Sequence, residues 1–193
     1  MLFWDPWMDR AKYAQVARGR QIVYPGAPEG GRASARATPI ALVDSGVATA
    51  HPQLAGYIAA AADFTGEGPE DVLGHGTALA LIAVFGARDM EVSIVSAKVA
   101  DRAGRVREKD VIDGIDWAVA RGARVVNLSL GFPGRRREFR GLCEAIARHW
   151  NVLFFASAGY FERPTEVYPA NCRLGNLHVT WNPQPQRDEL LLR

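Results

Sequence analysis

Two side chains of this sequence have the types needed to move a proton. Asp44 follows the apolar run IALV and precedes Ser-Gly, and His75 lies 31 residues later between two glycines. A histidine exchanges a proton near neutral pH, and a carboxylate bonded to one ring nitrogen leaves the other nitrogen free to act as a base. The pair therefore predicts general base chemistry, provided that the fold brings the two residues together.

Each of these motifs also has a purely structural explanation. Asp-Ser-Gly after a strand is commonly a turn whose carboxylate bonds to nearby backbone, and a histidine beside glycine is commonly a structural residue. Ser129 ends the apolar run VVNL, where a hydroxyl often bonds to backbone. A functional interpretation consequently depends on the order of the motifs and on the elements that position them.

Apolar strands alternate with helices from residue 39 onwards. The predicted strands are PIALVD, VSIVSAKVA, RVVNLSLG, NVLFFASAG and GNLHVTW, and the predicted helices are TALALIAVFG, EKDVIDGIDWAVARG and RREFRGLCEAIARHW. Strands that are apolar throughout indicate a sheet buried on both faces, so the predicted fold class is α/β, a three-layer doubly wound parallel sheet. Ligands of such sheets bind beyond the carboxyl ends of the strands, where Asp44 and Ser129 fall. His75 is expected to be exposed at the start of the first of these helices.

The 193 residues fit one domain with added segments. Residues 1–23 predict an amphipathic helix, with Asp5 as its cap, Pro6 in the first turn and Gly19 after its end. Residues 24–38 are rich in Gly, Pro, Ala and Arg and are interpreted as a flexible linker. The core is assigned to residues 39–180, and residues 181–193 form a charged tail with two prolines.

Composition argues against several classes of protein. The net charge is only +2, and no apolar run reaches the ~20 residues of a membrane helix or has the flanks of a secretory signal. No GxGxxG motif, phosphate-binding loop or cluster of metal ligands occurs, so no cofactor and no metal are expected. Cys143 and Cys172 form neither a CxxC pair nor a disulfide framework, which favours reduced thiols and a cytoplasmic location.

Taken in order, the motifs resemble the subtilisin-like serine peptidases (subtilases, peptidase family S8). The resemblance runs from about residue 38 to residue 180 through ALVDSGVATAHPQL, GHGTALA, VVNLSLG, VLFFASAG and YPAN. It implies the subtilisin-like fold, with Asp44 orienting His75 and His75 acting as the general base. It also implies that a peptide substrate pairs with the backbone of Ser129, Leu130 and Gly131, as an added strand does.

The chain departs from the family pattern at two catalytic positions. The family's nucleophile lies in a Gly-Thr-Ser motif downstream, and this sequence contains no serine after Ser157. The asparagine that completes the family's oxyanion hole is replaced by Tyr160. Because loss of the catalytic serine costs ~10⁶ in turnover in subtilisin, the reference case for this effect, we expect the chain alone to be nearly inactive. The resemblance further implies a sheet that lacks its C-terminal third and exposes apolar surface.

Several functional hypotheses remain open from the sequence. One is a peptide-binding pseudopeptidase, and another is half of a split serine endopeptidase whose Gly-Thr-Ser segment comes from a second chain, which could also cover the sheet. A third is an active endopeptidase with an unrecognised nucleophile, for which Cys172 is a weak candidate. The least favoured is nucleic-acid binding by Arg135, Arg136 and Arg137, because acidic residues dilute this patch.

Overall fold

The computed structural model describes residue 24 and residues 26–86, 90–159 and 166–180. Within them, six strands form the central sheet: β1 (Thr38–Asp44), β2 (Ile58–Asp63), β3 (Val92–Lys98), β4 (Val125–Leu128), β6 (Leu153–Ser157) and β8 (Leu177–Thr180). Their order in the sheet is β2-β3-β1-β4-β6-β8, and every neighbouring pair is parallel. The predicted α/β class with a parallel sheet is confirmed.

Helices cover the sheet because each strand carries apolar residues on both of its faces. The helices are α1 (His75–Gly86), α2 (Glu108–Ala120) and α3 (Arg140–Arg148). Beneath α1 lies one apolar cluster, in which Leu42 and Ile94 meet Leu81. On the opposite face, Val43 and Phe154 belong to a larger cluster beneath α2 and α3. The strand ends that bear Asp44 and Ser129 are therefore fixed from both sides.

The structure differs from the sequence prediction most clearly in three elements. Strand β2 has the sequence IAAAAD, whose alanines have low strand propensity, and it was not predicted. Helix α3 begins only at Arg140, because a turn occupies the predicted first residues. The ladder of β4 stops at Leu128, and the chain then enters β5 (Phe132–Pro133), which pairs antiparallel with β7 (Val167–Tyr168).

The prediction that the two cysteines are unpaired thiols is wrong. Cys143 of α3 and Cys172 of a 3-10 turn (Ala170–Cys172) form a disulfide, with their Cα atoms 5.4 Å apart. They lie 29 residues apart in sequence and meet because α3 and the 3-10 turn pack beside β6 and β8. A single pairing of this kind leaves no spacing signature in a sequence. The cytoplasmic location stays a prediction.

The predicted helix over 1–23 and the tail over 181–193 lie outside the described residues. In the described part, no helix combines the length and the apolar character needed to cross a lipid bilayer.

Candidate functional site

Asp44 and His75 meet at the carboxyl end of the sheet. Asp44 is the last residue of β1 and His75 the first of α1, and Nδ1 of the imidazole lies 2.6 Å from Oδ1 of the carboxylate. The same Oδ1 accepts a hydrogen bond from the backbone N–H of Ser45 at 2.7 Å. The contact with the imidazole selects the tautomer with its proton on Nδ1, which makes Nε2 the proton-accepting atom.

Two glycines allow the strand end and the helix start to come this close. Gly46 has φ +95°, a conformation that residues with side chains disfavour, and a Cβ there would lie 2.4 Å from the carbonyl oxygen of Pro69. A Cβ on Gly76 would lie 2.0 Å from the carbonyl oxygen of Gly46. The backbones of the two motifs are thus in direct contact, which explains why glycine follows both Asp44-Ser45 and His75.

Asp71 organises the start of α1 and was missed by the sequence analysis. One carboxylate oxygen accepts the hydroxyl of Ser45 at 2.9 Å and the backbone N–H groups of Leu73 and Gly74. The other accepts the N–H and the hydroxyl of Thr77 at 2.8 and 2.7 Å. Burial raises the pKa of the Asp71 carboxyl, while the hydrogen bonds from Thr77, Gly74 and Ser45 act in the opposite sense. The signal that could have found it is an acidic residue a few positions ahead of a helix start, where a carboxylate can accept the first N–H groups.

Ser45 and Thr77 extend this network to both motifs. The Ser45 hydroxyl oxygen accepts the N–H of Gly76 at 3.0 Å, and the Thr77 hydroxyl oxygen accepts the N–H of Ala48 at 3.0 Å. Each hydroxyl also donates to Asp71, so Ser45 connects Asp71 to the start of α1, and Thr77 connects it to the loop after β1. Ser45 of the Asp-Ser-Gly motif and Thr77 of the His-Gly-Thr motif therefore fix the positions of Asp44 and His75 relative to each other.

A buried lysine supports the loop before α1. Lys98 ends β3, is paired in register with Asp44, and is only 1% exposed. Its ammonium group donates to the carbonyl oxygen of Glu70 at 2.9 Å and lies 4.0 Å from the carboxylate of Glu67. Because an uncompensated buried charge is costly, these contacts fix the chain just ahead of Asp71.

The dyad is more enclosed than the sequence predicted. His75 is 2% exposed and Asp44 is 0% exposed, so the expectation of an exposed histidine is wrong. Oδ2 of Asp44 is buried and has no hydrogen-bond partner among the described residues.

The segment Ser129–Gly131 leaves the sheet directly beside the dyad, because β4 neighbours β1. Ser129 is half-buried and its hydroxyl bonds to the side chain of Asn127 at 3.0 Å, whereas Leu130 is fully buried. Gly131 is buried as well, so Ser129 is the most accessible of the three residues, and peptide pairing along this segment stays a prediction. Tyr160, the residue at the oxyanion position, lies outside the described residues.

Three of the described serine hydroxyls, each a candidate nucleophile, have hydrogen-bond partners of their own. The hydroxyl of Ser45 bonds to Asp71, that of Ser129 to Asn127, and that of Ser157 accepts the N–H of Gly159. Cys172 is disulfide-bonded, so it has no thiol to act as a nucleophile. In the described part of the chain, no three metal-ligating side chains cluster in a way that could hold a metal ion.

A polar cavity of about 450 Å³ opens beyond the ends of β2 and β3, one strand away from Asp44. Its charged lining residues are Glu67, Asp101, Arg105, Arg107 and Asp110. Arg105 bonds to Asp101 at 2.7 Å and Arg107 to Asp110 at 2.6 Å. Since the charges pair with one another, the cavity presents no strong field of either sign.

The motifs and their geometry agree with comparisons to known proteins. A family model described as "Subtilase family" matches residues 35–178, most of the chain. This chain belongs to the subtilase family. It is 34% identical to thermitase from Thermoactinomyces vulgaris over 143 residues, which is 68% of this chain and 50% of thermitase. It is also 32% identical to subtilisin E from Bacillus subtilis over 105 residues, 49% of this chain and 27% of subtilisin E.

The solved structures agree with the family assignment. The crystal structure of a lanthipeptide protease superposes with a TM-score of 0.60 and 26% sequence identity, covering 74% of this chain and 47% of that one. The predicted subtilisin-like fold is thus confirmed. The chain spans about half the length of thermitase, so it corresponds to part of a subtilase domain.

Proposed function

We propose that this subtilase chain binds an extended peptide or protein segment beside its Asp44–His75 dyad and does not cleave it alone. The observation that supports the proposal most is the intact dyad, with 2.6 Å between imidazole and carboxylate, in a sequence that lacks the family's Gly-Thr-Ser nucleophile motif. The dyad can accept a proton, but the hydroxyls of Ser45, Ser129 and Ser157 bond to other groups. Binding without turnover is the expected result.

Peptide binding would use the chain beyond the end of β4. Ser129 is the accessible residue of the segment that continues past the ladder, and it lies one strand from Asp44. A peptide that adds there as a strand draws its affinity from main-chain hydrogen bonds. It would lie between Ser129 and the loop that follows β3, across the carboxyl end of β1.

Fluorescein-labelled casein, an unfolded polypeptide, tests binding and cleavage in one sample. We expect an increase in fluorescence anisotropy that is stable over hours, with intact casein at the end. Ser129→Pro removes one N–H group and should weaken binding at least ~10-fold, whereas the matched Ser129→Ala variant keeps the N–H group and should bind as the wild type does. No anisotropy change with folded wild-type protein, or casein cleavage abolished by His75→Ala, would overturn the proposal.

A split endopeptidase is the second candidate, because a pure binding module has no evident need for a paired Asp44 and His75. In this case the second chain would bind the part of the sheet beyond β4, where Leu153 of β6 is 37% exposed and Val179 of β8 is 47% exposed. A fluorophosphonate probe distinguishes the two candidates. Labelling of a Gly-Thr-Ser protein from the same genome, only when this chain is added, supports the split enzyme.

Nucleic-acid binding is less well supported. Arg140 pairs with Glu144 and Arg148 with Asp116, and the carboxylate of Glu138 accepts the backbone N–H of Arg135. Acidic groups are thus interspersed with the arginines of α3 and the preceding turn. A basic surface for phosphates would need a continuous positive face.

A further inference from the structure

The disulfide lies directly behind the small β5–β7 sheet. Cys143, Cys172 and Tyr168 form one buried cluster, and Tyr168 is the β7 residue that pairs with Phe132 of β5. The segment from Val167 to Cys172 is thereby joined covalently to α3 through Cys143. Within this segment, the N–H of Cys172 also bonds to the carbonyl oxygen of Pro169 at 2.8 Å.

An aromatic stack connects this cluster to the candidate peptide-binding segment. The ring of Phe139 stacks on Tyr168 at 5.5 Å and on Phe132 at 5.2 Å between centroids. Phe132 follows Gly131 directly in the chain. The position of the backbone at Gly131 therefore depends on a layer of three rings, one of which packs against the disulfide.

The disulfide can be reached from outside on one side. Cys143 lines an open cavity of about 260 Å³, together with Arg136, Arg140, Glu144 and Leu174 among others. Cys143 is 5% exposed, whereas Cys172 is 0% exposed. A thiolate is the species that attacks a disulfide, and Cys143 is the half of this disulfide that lines the open cavity.

We propose that the Cys143–Cys172 disulfide is a redox-controlled crosslink that orders β5, β7 and, through Phe139, the Ser129–Gly131 segment. A dithiol reductant opens it: one thiolate attacks Sγ of Cys143, the S–S bond breaks, and Cys172 leaves as a thiolate that takes up a proton. The second thiol of the reductant then displaces Cys143, giving two protein thiols and one oxidised dithiol. That the loosened segment is the one that binds peptide rests on the function proposed above.

Hydrogen–deuterium exchange of the full chain tests this crosslink before and after treatment with dithiothreitol. The informative amides are those of Phe132 in β5, of Val167 and Tyr168 in β7, and of Gly134, which donates to the carbonyl oxygen of Glu166. We expect their exchange to become at least ~10-fold faster on reduction, while β1 and β3 keep their protection. Equal exchange in the two states, or equal acceleration in β1 and β3, would overturn the proposal.

The double variant Cys143→Ala/Cys172→Ala is the matched control. It should exchange like the reduced wild type and should not respond to dithiothreitol; a response would place the effect elsewhere and contradict the proposal.

Casein anisotropy recorded on the same samples separates the two proposals. Casein binding that weakens on reduction supports both the peptide-binding function and the redox-controlled crosslink. No casein binding in the oxidised state refutes the peptide-binding function. In that case the exchange rates alone decide whether the crosslink orders β5 and β7.

Discussion

At the scale of single residues, Asp71 connects more of the site than either member of the dyad does. Its carboxylate accepts hydrogen bonds from both the Ser45 and Thr77 side chains and so joins the loop after β1 to the start of α1. Asp44 and His75 are each attached to one of these two elements. The geometry of the dyad therefore depends on Asp71 as well as on Asp44 and His75 themselves.

Replacing Asp71 by asparagine should destabilise the protein. Both oxygens of Asp71 accept hydrogen bonds, and the variant replaces one of them with an NH₂ group, which is a donor. The N–H groups that this oxygen accepted would lose their acceptor, and a buried unsatisfied group costs about 1–3 kcal/mol. Urea unfolding followed by circular dichroism measures the loss in free energy of unfolding. Glu70→Gln is the control, because this exposed neighbour bonds mainly to Thr49 and should change stability by less than about 0.5 kcal/mol. Equal effects of the two variants would contradict the assigned role.

Gly76→Ala should also be strongly destabilising, since its Cβ would lie 2.0 Å from the Gly46 carbonyl oxygen. Backbone on both sides would have to move, and the expected loss is at least about 2 kcal/mol in the free energy of unfolding. Gly86→Ala at the other end of α1 is the control, because the nearest atom to its new Cβ is 3.8 Å away. Thermal unfolding should rank Gly76→Ala far below Gly86→Ala, and a reversed order would refute the close approach.

The residues of the site differ in how far the sequence alone could predict them. Asp44 and His75 were predicted as a pair from the resemblance to the subtilases, and the structure brings their side chains into contact. The burial of His75 was not predictable, since it depends on chain segments distant in sequence. The Cys143–Cys172 bond was missed for the same reason.

At the scale of elements, α2 and α3 are joined by an ionic contact as well as by apolar packing. Asp116 of α2 bonds to His149 at 2.7 Å and to Arg148, both at the end of α3. Burial acts to raise the pKa of Asp116, but the hydrogen bonds from His149 and Arg148 outweigh it, so the pKa is lowered from 3.8. The charged form is thus favoured in the folded state.

This contact predicts a pH dependence. A lowered folded-state pKa means that Asp116 stabilises the fold above its unfolded-state pKa of 3.8 and loses this effect as the pH falls through the lower folded-state value. The stability difference between wild type and Asp116→Asn should be about 0.5 kcal/mol at pH 6, given the exposure of the carboxylate, and should shrink as the pH falls below 3.8. Asp113→Asn, which removes a pair within α2, is the control for urea unfolding across this range. A difference that grows as the pH falls would contradict the assignment.

The disulfide should contribute to stability through the chain it encloses. Closing a loop between cysteines 29 residues apart reduces the entropy of the unfolded chain by an amount equivalent to about 3–4 kcal/mol. Cys143→Ala/Cys172→Ala should lose approximately that much free energy of unfolding in urea, and oxidised wild type should lose it on addition of dithiothreitol. If dithiothreitol left the free energy of unfolding of the wild type unchanged, the disulfide would not stabilise the fold and the prediction would be wrong.

At the scale of the whole molecule, the described sheet is covered unevenly. The faces of β1 and β3 are buried, while β8 at one edge has three exposed residues and Phe155 of β6 stacks on the exposed His178. The chain spans about half the length of thermitase, and the family nucleophile motif is absent from its sequence. These facts place a paired Asp44 and His75 in a chain that corresponds to about half of a subtilase domain.

The fold could be predicted from the sequence because apolar strands and helices alternate regularly over residues 39–180. Strand β2 escaped prediction because alanine favours strands weakly, and it is recognisable only by its pairing with β3. Strands β5 and β7 have two residues each, too few for any periodicity to show.

The most direct test is mass spectrometry of the purified chain after incubation with a fluorophosphonate, which forms a stable adduct with an activated serine. We expect the intact mass to stay unchanged, because the sequence lacks the Gly-Thr-Ser motif that supplies the family's nucleophile. A stoichiometric adduct on any of the six serines, abolished by His75→Ala, would contradict the claim that the dyad has no nucleophile within this chain.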